Sequence, residues 1–148
     1  MDTKNTNKKV SKKLINIPKL TNPIGVDKAK LISPLTLAYV GDSVYSLFVR
    51  VHESLKGDYK SGELTKLVNK TVSAKAQSEF VKKIEPLLTE EEFGVYKRAK
   101  NAKTHNYPTH ATISEYHEAT GFEALIGYLY LTGQSERIDT LLGENYAD

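Results

Sequence analysis

Two apolar helical stretches, far apart in the chain, each carry a single acid and a glycine, and this pairing limits the folds open to the sequence. The first runs from Leu37 to Arg50 and holds Asp42 directly after Gly41. The second runs from Thr120 to Leu131 and holds Glu123, with Gly127 one turn further on. Leu37, Gly41, Val44, Phe48 and Val51 recur at helical spacing, so one stripe of the first segment faces a core. Ser33 followed by Pro34 predicts its start: serine is a good N-cap, and proline at the first helical position loses no needed hydrogen bond. A lone carboxylate in so apolar a helix costs free energy unless hydrogen bonds or opposite charge meet it. The residues one turn from Asp42, namely Ala38, Tyr39, Tyr45 and Ser46, offer no cation. Two readings stand at this point: a solvent-facing aspartate on an amphipathic helix, or half of a site completed elsewhere. Glycine costs a helix about 1 kcal/mol relative to alanine, so glycines inside two helices need a reason. Close approach of the helices is one, and it would bring the two acids together. Two facing carboxylates form a hard-oxygen site suited to Mg²⁺.

The remaining pattern is helical as well. The first core helix is expected from Pro34 to about Glu53, followed by a turn at Lys56-Gly57-Asp58-Tyr59. Ser61 is expected to cap a helix with Leu64, Leu67, Val68 and Val72 on its apolar positions. Ser73 restarts the chain into a helix facing inward with Ala76, Phe80 and Ile84, ended by Pro86. Thr89 with Glu92, and Thr112 with Glu115, have capping-box spacing. The first opens a helix expected to bury Phe93 and Tyr96. Gly121 is expected to bend the chain before the Glu123 helix, Gly133 to end that helix, and Ser135 to cap a short last one. No alternating strand pattern of useful length occurs, so the fold class is all-α, with about seven helices.

At 148 residues the chain has the size of one domain. Such a length buries about 68–70% of its unfolded surface, enough for a core without covalent staples. The absence of cysteine excludes disulfides and thiolate metal sites. No apolar run approaches the ~20 residues of a membrane span, and no apolar segment follows the first lysines as a signal peptide would require. A cytoplasmic protein is expected. The net charge of +3 is mild, but its distribution is uneven. Residues 1–20 hold Lys4, Lys8, Lys9, Lys12, Lys13 and Lys19 against Asp2 alone. Residues 94–112 hold Lys97, Arg98, Lys100 and Lys103 and no acid. Cations in the last turn of a helix are ordinary dipole partners, but four exceed that need and suggest contact with a polyanion. Residues 1–24 read as a basic flexible arm and 25–148 as the folded domain.

Val40-Gly41-Asp42-Ser43-Val44 and Phe122-Glu123-Ala124-Leu125-Ile126-Gly127-Tyr128-Leu129-Tyr130-Leu131 resemble the two acidic helices of the ribonuclease III endonuclease domain. Leu37-Ala38-Tyr39-Val40-Gly41-Asp42, Val72-Ser73-Ala74-Lys75-Ala76-Gln77 and Arg98-Ala99-Lys100-Asn101-Ala102-Lys103 are similar to the Mini-ribonuclease III branch, which lacks a double-stranded-RNA-binding domain. The resemblance spans roughly Asp27 to Leu142. It implies a ribonuclease III-like helical fold, with Asp42 and Glu123 as metal-binding and catalytic residues. Two departures stand out. The family's glutamate four residues before the Gly-Asp aspartate is Ala38 here, a loss the Mini branch shares. The family's aspartate three residues before the Phe-Glu glutamate is Thr120. Glu115, Glu118 or Glu63 could supply a missing ligand, or could be surface residues.

The resemblance implies a Mg²⁺-dependent endoribonuclease acting on double-stranded RNA. It also implies a homodimer with one site per strand, and a role in maturing the ends of the 23S ribosomal RNA precursor. A non-catalytic RNA-binding or ribosome-associated module is the alternative. A-form RNA is met mainly through shape, phosphates and 2′-hydroxyls. Lys97, Arg98, Lys100 and Lys103 with the Thr104–Thr109 loop are the candidate contacts, followed by Lys75 and Gln77. Tyr39, Tyr45 and Phe48 are candidates for either the dimer interface or the monomer core. His105, His110 and His117 with Glu118 match no tetrahedral zinc spacing and read as solvated or phosphate-touching.

Overall fold

A computed structural model of the protein describes residues 20–104 and 107–145. The lysines expected to form a basic arm, with His105 and the last three residues, lie outside the described residues. The described chain forms seven α-helices: α1 (Val26–Lys30), α2 (Pro34–Ser54), α3 (Ser61–Val72), α4 (Ala74–Ile84), α5 (Glu90–Lys100), α6 (Ile113–Leu131) and α7 (Ser135–Gly143). A 3-10 turn, Glu85–Leu87, carries Pro86 after α4. The described residues contain no strand, so the all-α expectation holds.

α6 is the centre. Phe122, Ala124, Leu125, Ile126 and Leu129 are fully buried, because α2, α4, α5 and α7 surround it. A helix apolar on every side must be buried on every side. Tyr45 of α2 and Phe80 of α4 both meet the Phe122 ring edge-on, at 4.9 and 5.7 Å between centroids. These contacts answer the open question about α2: Tyr45 and Phe48 belong to the monomer core, each 2% exposed, whereas Tyr39 is 72% exposed.

Both capping boxes form. The Thr89 amide donates to Glu92 Oε1 at 2.9 Å and the Glu92 amide to Thr89 Oγ1 at 3.1 Å. The matching pair between Thr112 and Glu115 spans 2.9 and 3.0 Å. Ser73 caps α4 by accepting from the Ala76 amide at 3.2 Å. Three other serines behave differently. Ser33 stands at the N-cap of α2 without a side-chain cap bond, and Pro34 alone marks the start. The caps of α3 and α7 are Lys60 and Gln134, one residue before Ser61 and Ser135. Tyr96 is buried as expected, together with Val95 and Ala99, but Phe93 is 37% exposed.

Gly121 does not bend α6, which runs unbroken from Ile113 to Leu131. A side chain at Gly121 would collide with the Tyr96 ring at 2.7 Å, so it is a packing glycine. Gly133 does end the helix. Its φ of +76° allows a Schellman motif, in which the Gln134 amide donates to the Leu129 carbonyl and the Gly133 amide to Tyr130. The chain before α1 is tied to this end: the Ile24 amide donates to the Leu131 carbonyl at 2.9 Å.

Candidate active site

The two acidic helices cross at their glycines. A Cβ on Gly41 would overlap the Glu123 carbonyl oxygen and stand 2.7 Å from the Gly127 nitrogen. A Cβ on Gly127 would overlap the Leu37 carbonyl oxygen and lie 3.0 Å from the Gly41 nitrogen. Main chain therefore touches main chain, and no residue other than glycine fits either position. The acids sit at this contact. The Glu123 carboxyl lies beside that of Asp42 and interacts with it. Burial first, then the neighbouring Asp42 carboxyl, pushes Glu123 up to about 8. Asp42 is on the exposed side of α2, so the pair opens to solvent on one flank and to the core on the other.

Gln77 of α4 completes the cluster. Its Nε2 donates to Glu123 Oε2 at 3.3 Å and to the Val72 carbonyl at 2.9 Å, and the donation to Glu123 works against the upward shift. Gln77 is only 1% exposed, which corrects the expectation that it meets RNA: a buried amide turned toward Glu123 is not available to a phosphate. In the sequence Gln77 stands out only as the polar head of an otherwise apolar stripe with Phe80, Val81 and Ile84, which does not reveal its partner.

The positions where the wider family carries further acids are closed. Ala38 and Thr120 are 7% and 6% exposed, and the Thr120 hydroxyl is committed to the Tyr116 carbonyl at 2.9 Å. Glu115 is committed to its capping box. Glu118 is buried, not a surface residue. Ser78 and Ser114 each donate to it at 2.9 Å, and Lys82 pairs with it at 3.4 Å. Burial pushes the Glu118 carboxyl up, but those hydrogen bonds and the Lys82 charge outweigh it and hold it below the ordinary range. Glu63 lies exposed in the first turn of α3. Among the described residues no group of three or more histidine, aspartate or glutamate side chains could hold a metal ion. His117 instead packs beside Tyr107, whose hydroxyl is 3.4 Å from its Nε2.

The basic residues divide. Lys100 and Lys103 line a cleft of about 510 Å³ with Asn101, Thr104, Tyr107, Ser114 and His117. Lys100 also stands 5.8 Å above the Tyr96 ring. Arg98 turns the other way, toward a cleft with Lys30, Glu91 and Tyr128, and donates to the Lys30 carbonyl at 3.4 Å. Lys97 and Lys75 are exposed on α5 and α4.

The domain is all-helical, presses two helices together through glycines and sets one carboxylate from each beside the other. Residues 35–134 match the Ribonuclease III domain, and the chain belongs to the ribonuclease III family as an endoribonuclease. Within the family it stands with the Mini-ribonuclease 3 proteins. It is 47% identical to that of Brevibacillus brevis over 79% of this chain and 87% of the relative. It is 42% identical to that of Symbiobacterium thermophilum over 84% and 91%. A crystal structure of a Fusobacterium nucleatum protein superposes with a TM-score of 0.73 at 39% identity, covering 79% of this chain and 93% of that one. Family membership sets aside the non-catalytic alternative. No described helix is long and apolar enough to cross a membrane.

Proposed function

We propose that the chain is a Mg²⁺-dependent endoribonuclease that cuts double-stranded RNA as a homodimer and matures the ends of the 23S ribosomal RNA precursor. The observation that carries the reading is the Asp42–Glu123 pair, one acid from each helix set side by side where the two helices touch. Two carboxylates this close do not both ionise cheaply. A hard divalent cation between them removes that cost, and both donors are oxygens of the type Mg²⁺ prefers. The residues present therefore fit a divalent ion, with Asp42 and Glu123 as its ligands.

When bound, such an ion activates water and offsets charge on the phosphate and the leaving oxygen. The protein's share is to hold the duplex. Lys100 and Lys103, which line one cleft, meet phosphates, and the exposed Lys75 and Lys97 add further cations. Contacts of this type position the duplex without reading its sequence, so the cleavage site is chosen by local duplex geometry. Cutting both strands needs a second site. Leu35, Tyr39 and Leu47, all exposed and spaced by multiples of four on α2, give a second copy an apolar surface to cover. The branch's part in ribosomal RNA maturation supports the 23S precursor as substrate. Residues 1–24 are proposed as an accessory arm on the folded domain 25–148, and the expected cytoplasmic location follows the substrate.

The test is purified protein with a duplex from the mature 23S termini, Mg²⁺, and the Asp42→Asn variant. Wild type is expected to cut both strands, leaving a short 3′ overhang, while the variant loses at least a hundredfold in rate. No cutting by wild type overturns the reading, and undiminished cutting by the variant overturns the site.

A further inference from the structure

We propose that Gln77 is the positioning residue of the acidic pair, fixing the Glu123 carboxyl in the rotation that lets it share one divalent cation with Asp42. The proposal rests on the two-carboxylate reading above. Gln77 is 1% exposed on the inward stripe of α4, where a side-chain amide is costly unless it is bonded. Its Nε2 has two protons and both are spent. One goes to the carbonyl of Val72, the last residue of α3, at 2.9 Å, and one to Glu123 Oε2 at 3.3 Å.

The Val72 carbonyl can only accept. It therefore decides which end of the amide faces Glu123, since the flipped amide would set Oε1 against two acceptors. Gln77 thus always presents a donor to the acid. That donor favours the ionised carboxylate, engages one of its oxygens and leaves the other uncommitted to Gln77. Closing the end of α3 requires only one of the two N–H groups, so the second bond is what a merely structural glutamine would not need. Gln77 Oε1 is buried and has no partner among the described residues. Hydrogen-bonding partners of metal ligands commonly change affinity by about 10–100-fold when removed.

The experiment is calorimetric titration of Mn²⁺ into the full chain for wild type, Asp42→Asn and Gln77→Met, which keeps the volume and removes both donors. Gln77→Leu replaces the methionine variant if that one does not fold. Each protein is titrated at a temperature where circular dichroism shows it folded. The expected result is near-complete loss of binding in Asp42→Asn and about tenfold weaker binding in the Gln77 variant. In duplex cleavage, the half-saturating Mg²⁺ concentration of the Gln77 variant should rise about tenfold while kcat at saturation stays within threefold of wild type. A Gln77 variant with a lowered Tm but an unchanged Mn²⁺ Kd overturns the proposal and makes Gln77 a helix cap only. If Asp42→Asn also binds Mn²⁺ as wild type does, the two-carboxylate reading itself is overturned.

Discussion

Replacing Glu123 by glutamine should change how stability depends on pH, and the size of the change follows from the site. Glu123 stands up to about 8 against an ordinary 4.5, chiefly through burial and then through Asp42. Without metal, the folded protein keeps a proton on Glu123 between these values while the unfolded chain has released it. The native state therefore binds more protons, and stability falls as pH rises. The contribution is fully present below 4.5 and lost as pH passes 8. Each pH unit in that window is worth ~1.4 kcal/mol, so the loss approaches about 5 kcal/mol, a large share of the 5–15 kcal/mol typical of a domain. Glutamine does not titrate and should not show it. The assay is urea unfolding followed by circular dichroism at pH 5, 6, 7, 8 and 9 in EDTA, for wild type and Glu123→Gln. The difference between the proteins cancels every titrating group except Asp42, which is coupled to Glu123. It should shift in favour of the variant by several kcal/mol from pH 5 to pH 9. Millimolar Mg²⁺ at pH 8 should restore wild type and leave the variant unmoved. Parallel curves in EDTA would refute the idea that the two acids repel each other in a buried setting.

Other expectations follow from the packing. Gly41→Ala drives a methyl into the Glu123 carbonyl and should cost at least ~3 kcal/mol in urea unfolding, or prevent folding, as overpacking against backbone does. Gly94→Ala, on the exposed side of α5 with nothing within 4 Å, should instead stabilise by about 0.5–1 kcal/mol. Thr112→Ala removes a cap that accepts at 3.0 Å and should cost ~1 kcal/mol, read as a lower Tm with unchanged cleavage per folded molecule. Lys100→Ala and Lys103→Ala should each weaken duplex binding and lower the slope of log affinity against log salt by about 1, without altering the cut position.

How far the residues alone led depended on how many constraints met at each position. The two capping boxes were legible because threonine and glutamate each check the other. Ser61 and Ser135 misled because a serine beside a helix start satisfies the composition rule one position off the true cap. Gly41 and Gly127 pointed to a helix crossing because glycine in a helix is costly and needs a cause. Gly121 offered the same signal for a different cause, a tyrosine ring from α5, which no local pattern distinguishes from a bend. The pairing of Asp42 with Glu123 could be anticipated from the glycines. The part played by Gln77 could not, because its partner lies 46 residues away and a glutamine on an apolar stripe has many uses. The division of Lys100 and Lys103 from Arg98 likewise depends on how α5 lies against α6.

The contact between Gly41 and Gly127 works as a ruler made of peptide groups. Where bulky side chains space two helices, every exchange of one hydrophobe for another lets the helices slide. Here the spacing is fixed by atoms common to every residue. Substitutions around Tyr45, Phe122 or Leu125 can then change how firmly the domain holds together while the gap between its acids stays constant, leaving the surrounding core free to diverge in sequence.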